Sequence, residues 1–215
     1  MMKNVNERSK KVSKRSGQRG PREVTEKRLN NVALHYVSRY SATTDSLRKV
    51  LMRRVEASAR VHGTDPKDGA IWTETLIIKF QALGYLNDRA YAANRARSLL
   101  ARGNSMRAVA MKLREKGISV EDIEVAFEAA REDMSNLDLA AAAALARRRR
   151  LGPYRLDVAR EEHRDRDLAV LARAGFSYDV ARCIIEAETV NILEAIISGK
   201  PEDNRLQGPA KGAYE

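Results

Sequence analysis

A helix stop that recurs is the feature that most constrains how this chain can fold. Around Gly84, Gly117 and Gly175 the same order of residues returns. Each glycine has an apolar residue four positions back (Phe80, Leu113, Leu171) and an apolar anchor directly after it (Tyr85, Ile118, Phe176); a cap region and a new amphipathic stretch follow. Glycine enters the left-handed conformation without steric cost, so it ends one helix and frees the chain to start another. One such turn is ordinary punctuation. Three point to duplication of a short helical unit.

The stops are most legible between Phe80 and Ala130. After Gly84, Asn87 or Asp88 offers a side-chain oxygen to the bare N–H groups of the next helix. That helix runs to Arg102 and stops at Gly103. Asn104 or Ser105 caps a third, whose apolar face is Met106, Val109, Ala110 and Leu113. Gly117 ends it and Ser119 caps a fourth, with Glu121 and Asp122 in the first turn, where the helix dipole favours negative charge.

Upstream, Leu29, Val32, Ala33, Tyr36, Val37 and Tyr40 form a helical stripe between Val24 and Tyr40. Thr44 or Asp45 caps a second helix with Leu47, Val50, Leu51 and Val55 on its inner face. Gly63, Pro66 and Gly69 make 61–70 a loop, followed by a helix from about Ala70 to Leu83 with Ile71, Leu76, Phe80 and Leu83 inward. Downstream, the alanine-rich Leu137–Leu151 matches Ala90–Arg102: both are alanine-rich and end in arginines before a glycine. Tyr154–Arg173 reads as a broken helix whose charged run Arg160–Asp167 is solvated. Phe176 opens a last long helix carrying Val180, Ile184, Ile185, Ile192, Leu193 and Ile196. The organisation expected is a disordered basic arm (1–22), three helical units (23–83, 84–134, 135–198) and a disordered tail (199–215).

Composition narrows the function. Formal net charge is +11 with pI about 9.9, which favours polyanionic partners, and eight Lys or Arg stand against one Glu in residues 1–22. The single cysteine, Cys183, excludes an internal disulfide and fits a reducing, cytoplasmic setting. No apolar run approaches the roughly 20 residues that span a bilayer, and no signal-peptide core follows the basic start. His35, His62 and His163 are scattered, with no second ligand at metal-binding spacing. Cys183 has no evident base, and the glycines occur singly rather than as a phosphate loop. No catalytic residue, cofactor or metal is expected. What remains is the basic surface: Arg95, Arg97 and Arg102 on one helix, Arg107, Lys112, Arg114 and Lys116 on the next, and Arg147, Arg148, Arg149 and Arg150 in a run. Four consecutive arginines exceed what helix capping requires, because successive residues fan around the axis. These eleven are the candidate partner or DNA-binding residues.

The stretch LGYLNDRAYAANRARSLLARGNSMRAVAMKLREKGI resembles the central signature of the RecX family, bacterial regulators of the RecA recombinase. Its parts are the Leu83-Gly84-Tyr85 turn, the Asn87-Asp88 cap, the arginine-bearing helix from Ala90, the Arg102-Gly103 turn and the Lys116-Gly117-Ile118 ending. Weaker likeness extends from Arg28 to Ile197. The chain departs from the family pattern at EASARVHGTDPKDGA, where members follow with a glycine–aromatic turn. The resemblance implies a non-catalytic protein that binds RecA and its nucleoprotein filament; a monomer with no membrane partner is expected. It also implies that this protein restrains recombinase and coprotease activity in repair and the SOS response. The fold expected is all-α, tandem three-helix repeats stacked into an elongated curved body, because a unit this short buries its apolar face on its neighbours. Two other readings stay open: a sequence-tolerant DNA-binding protein, and a tetratricopeptide-like scaffold suggested by the Gly84–Gly117 spacing.

Overall fold

The computed structural model describes residues 20–132 and 136–199; most of the expected basic arm and nearly all of the tail lie outside them. The described residues form ten α-helices and no strand: α1 (Glu26–Val37), α2 (Thr44–His62), α3 (Pro66–Ala82), α4 (Asp88–Ala101), α5 (Met106–Arg114), α6 (Val120–Arg131), α7 (Leu137–Arg149), α8 (Arg160–Arg173), α9 (Tyr178–Glu186) and α10 (Val190–Ser198). Two short 3-10 turns, Gly152–Tyr154 and Asp157–Ala159, join α7 to α8. The fold is an all-α tandem repeat of three-helix sets.

Side-chain caps start most of these helices. Thr25, Thr43, Asp65, Asn87, Ser105, Ser119, Asn136, Ser177 and Thr189 each accept a bond from a first-turn N–H. The recurring stop is equally uniform. Gly84, Gly117 and Gly175 all have positive φ, and the next N–H reaches back to Phe80 O, Leu113 O and Leu171 O at 2.9, 3.1 and 3.3 Å. Leu113, Leu171 and Phe80 are buried beneath these turns. Their positions in the repeat differ, however. Gly84 closes α3, the third helix of its set, whereas Gly117 and Gly175 close the second helices α5 and α8. The bond pattern belongs to any helix ended by a left-handed residue, so likeness of turns does not fix repeat register.

Several expectations are corrected by the local chemistry. Thr43, not Thr44 or Asp45, caps α2. The expected loop 61–70 shrinks to Gly63–Asp65, because α2 continues to His62 and Asp65 caps α3 with Pro66 in its first turn. Gly69 is a contact glycine inside α3: a Cβ there would lie 2.2 Å from Val55 Cγ1. That approach sets the rotation of α3, so Thr73, Leu76, Ile77 and Phe80 face inward while Ile71 and Leu83 are 63% and 58% exposed. Buried Thr73 is satisfied by donating to Gly69 O. Tyr85 is exposed and Leu86 fills the anchor position instead. The last helix is two, since Ala187 is extended and Thr189 starts α10. Arg160 donates to the carbonyls of Ile185, Ala187 and Glu188, which end α9. The charged run of α8 is not wholly solvated. Asp167 is 2% exposed, paired with Arg155 through two bonds and accepting from Gly152 N–H.

The apolar residues separate into two buried clusters. One joins α1, α2 and α3, with Leu29, Leu47, Leu51, Ile77, Phe80 and, from the following turn, Leu86. The other runs from α4 to α10, including Val109, Leu113, Leu171, Ile184 and Leu193. Within it α7 packs on α4, and α10 packs on α7.

Candidate functional site

The site is built where the set α4–α6 meets the set α7–α9. Its position follows from three local devices. Gly103, at φ +77°, ends α4 and lets that turn lie against α7 so closely that a Cβ would sit 2.7 Å from Leu145 N. Ser105 caps α5 and donates to Ala174 O at 2.8 Å, fixing the start of α5 to the end of α8. Asp138, in the first turn of α7, accepts from Met106 N–H at 2.7 Å. Arg148 then bridges the ends of α7 and α4 by donating to Arg102 O at 2.6 Å.

These bonds leave a cleft of about 440 Å³ whose lining includes Asn104, Ala108, Arg148, Arg149 and Arg173. No carboxylate lines it. Lys112 Nζ donates to Asn104 Oδ1 at 2.6 Å and so adds a cation at its edge. A concave surface with several guanidinium groups and an ammonium suits phosphate or carboxylate oxygens, which guanidinium meets as a planar fork.

The structure brings some of the sequence candidates together and separates others. Arg148 and Arg149 line this cleft and Lys112 stands at its edge, whereas Arg102 meets it only through its carbonyl, which accepts from Arg148. Arg95 is exposed on the same side of α4 as Arg102, seven residues away. Arg97, also exposed, lies about 200° around the helix from Arg95, on the other flank of the buried face. Arg107 and Arg114 share an exposed stripe of α5 with Met111. Lys116 is exposed at the far end of α5, where its carbonyl accepts from Thr43 Oγ1. Within the arginine run, Arg147 acts on Tyr154: burial pushes the phenol pKa up, the Glu194 carboxylate adds to this, and Arg147 opposes it. Arg150 is exposed in the left-handed position that closes α7. Arg173 is the residue that sequence reasoning missed. It stands alone before Ala174-Gly175 and reads as an ordinary cation at a helix end; only the docking of α8 on α5 places it at the cleft.

Nothing else among the described residues competes as a chemical centre. No group of His, Cys, Asp and Glu there could hold a metal ion. His163 Nδ1 meets Ala159 O, His62 Nε2 meets Pro21 O, and Cys183 is half-buried on α9. No described helix is long and apolar enough to cross a membrane.

Comparison with known proteins agrees with this architecture. Residues 87–126, spanning α4, α5 and most of α6, match the family model for the RecX second three-helix domain. The regulatory protein RecX of Myxococcus xanthus (strain DK1622) is 45% identical over 81% of this chain and 92% of its own length. The regulatory protein RecX of Agrobacterium fabrum (strain C58) is 30% identical over 80% of this chain and 88% of its own. No solved structure matches the chain significantly. With its three-helix sets in tandem and the second of them matched directly, the chain belongs to the RecX family of regulatory proteins.

Proposed function

We propose that this protein binds RecA and the RecA–DNA filament in the cytoplasm, and restrains recombinase and coprotease activity without chemistry of its own. The observation that carries the reading is the arginine cleft between the second and third helix sets. There Arg148, Arg149 and Arg173 face a concavity with no carboxylate in its lining. A filament of protein on nucleic acid presents both acidic side chains and phosphates, and a stacked helical body with cations along it is matched to such a target. The body is divided into units 23–83, 84–134 and 135–198, each contributing a basic helix face. Arg95, Arg102, Lys112 and Arg147–Arg150 are the residues expected to contribute most. Direct DNA binding is the second reading, favoured by the net charge of +11.

The test is a three-way binding comparison: bare single-stranded DNA, free RecA and assembled filament, across a salt series, for the wild type and a variant with Arg147–Arg150 changed to Gln. The regulator reading expects the assembled filament to be bound most tightly, and expects the variant to lose affinity for it by an amount that shrinks as salt screens the charges. Each lost phosphate contact should also flatten the log–log salt dependence by about 0.7–0.9. Tight binding to bare DNA with no gain from RecA would install the second reading instead.

A further inference from the structure

A second cleft, on the first helix set, has a different composition. It lies between α1 and α2, with a volume of about 550 Å³. Its floor is aliphatic: Leu29 and Val24 are buried, and Val32 and Val50 are half-buried. Its rim is cationic. Arg22 and Arg28 stand on the α1 side and Arg53 and Arg54 on α2, and no carboxylate is among the lining residues. Beyond the rim a shallower groove continues over Lys27 and His35, with Glu23 the one acid lining it.

The spacing shows how the floor and the rim arise together. Arg28, Val32 and His35 recur at helical intervals along α1, and Val50, Arg54 and Ala57 do the same along α2. Each helix therefore turns a mixed stripe, aliphatic below and basic above, toward the other. Arg48, on the other side of α2, meets Glu74 of α3 with bonds of 2.6 and 2.9 Å. Arg22, Arg28, Arg53 and Arg54 form no ion pair with another described residue.

We infer that the α1–α2 cleft is a docking site for an acidic amphipathic peptide segment of a partner protein, with an aliphatic side chain on the Leu29–Val32–Val50 floor and carboxylates on the arginine rim. Charge complementarity selects the acid, and the aliphatic floor selects the apolar anchor. The aliphatic floor favours the peptide over a single-stranded nucleic acid, whose bases stack best on aromatic rings, and the lining holds none. This surface lies on the first helix set, away from the arginine cleft, and the inference does not rest on the recombinase reading.

Fluorescence anisotropy on the full chain tests it. The probe is a labelled peptide of about twelve residues with Leu at helical spacing and Asp and Glu elsewhere. Two control probes are the same peptide with Leu changed to Ser, and an oligothymidine of equal charge. The Leu peptide should bind at least about tenfold more tightly than either control, a difference of 1.4 kcal/mol. The pair Arg53→Glu and Arg54→Glu should weaken it by a similar factor, while the pair Arg148→Glu and Arg149→Glu should leave it unchanged. A photo-reactive group at one Leu should label α1 or α2 of the wild-type protein, which needs no variant to fold. Equal binding of the Leu and Ser peptides would overturn the inference by reducing the cleft to a general cationic surface. Tighter binding of the oligonucleotide would make the site one for nucleic acid, and labelling outside α1 and α2 would place the peptide elsewhere.

Discussion

The two junctions between helix sets use one polar lock and two kinds of packing. At the first, Thr43 caps α2 and donates to Lys116 O, Asp88 of α4 accepts from Thr44 N–H, and Gly117 leaves room for Asp45. At the second, Ser105 caps α5 and donates to Ala174 O, Asp138 of α7 accepts from Met106 N–H, and Gly175 leaves room for Ser105. The hydrogen bonds correspond partner for partner. The apolar burial does not: a single cluster runs through the second junction from α4 to α10, while the first junction stands between that cluster and the one in α1–α3. The lesson is that polar contacts specify how the sets are aligned, and shared apolar area decides whether they unfold together.

Core truncation should give the largest effect and the sharpest reading of this difference. Leu47, Leu113 and Leu171 are fully buried, so each change to Ala should cost about 2–5 kcal/mol. The sole tryptophan, Trp72, packs against the first cluster, so its fluorescence reports α1–α3 while far-ultraviolet circular dichroism reports all the helices. In urea, Leu47→Ala should move the fluorescence transition to lower concentration ahead of the dichroism. Leu171→Ala should move mainly the dichroism. Coincident transitions in both variants would break the comparison and make the body one cooperative unit.

Gly103→Ala comes next, at about 3 kcal/mol, since the added Cβ meets Leu145 backbone that cannot step aside, on top of the cost of positive φ. Gly84→Ala has the same φ sign but open space around it, and should cost about 1 kcal/mol in the same thermal melts. Similar losses for both would mean that the close approach of α4 to α7 is not what holds the second junction.

The locks themselves should yield less. Thr43→Val and Ser105→Ala each remove a helix cap and a cross-junction bond, about 1–2 kcal/mol. Thr43→Val should widen the gap between the fluorescence and dichroism transitions, because little apolar area backs that lock. Ser105→Ala should lower one transition without splitting it.

The smallest effect concerns acid. Bonding to Arg48 lowers the Glu74 pKa below its usual carboxylate value, and the same bond raises Arg48. A carboxylate with a depressed folded pKa stabilises above its unfolded pKa, and that contribution disappears as pH falls through the folded one. Both side chains are well exposed, so the term is under about 1 kcal/mol. Glu74→Gln should narrow the difference in melting temperature between neutral pH and about pH 3, read by the Trp72 signal.

Much of this architecture is legible in the sequence because short helices carry their own signals. Ser105, Ser119, Gly103 and Gly117 act where the residue pattern puts them. What resists reading is whatever depends on a neighbour. Gly69 looks like a loop glycine until Val55 is seen against it, and Asp167 looks like surface charge until Arg155 and Gly152 N–H enclose it. The site divides along the same line. The run Arg147–Arg150 is visible from composition, but which of the four face a cleft is set by α7 docking on α4. Arg173 and the rim Arg28, Arg53 and Arg54 carry no local mark, and Arg22 reads as part of the basic arm, since each joins its cluster only across two elements.

The polar lock also has a direction in time. The first N–H of α2 is satisfied by a carboxylate 44 residues later, and its cap hydroxyl by a carbonyl 73 residues later. A ribosome delivers the chain from the N-terminus, so α2, already capped by Thr43 on Ser46 N–H, can form and pack on α3 before its first N–H and its cap hydroxyl meet these later partners. That edge is completed when α4 and α5 arrive, and the edge of α5 in turn waits for α7 and α8. The first two sets are thus each finished by the set that follows, in the order in which synthesis delivers them.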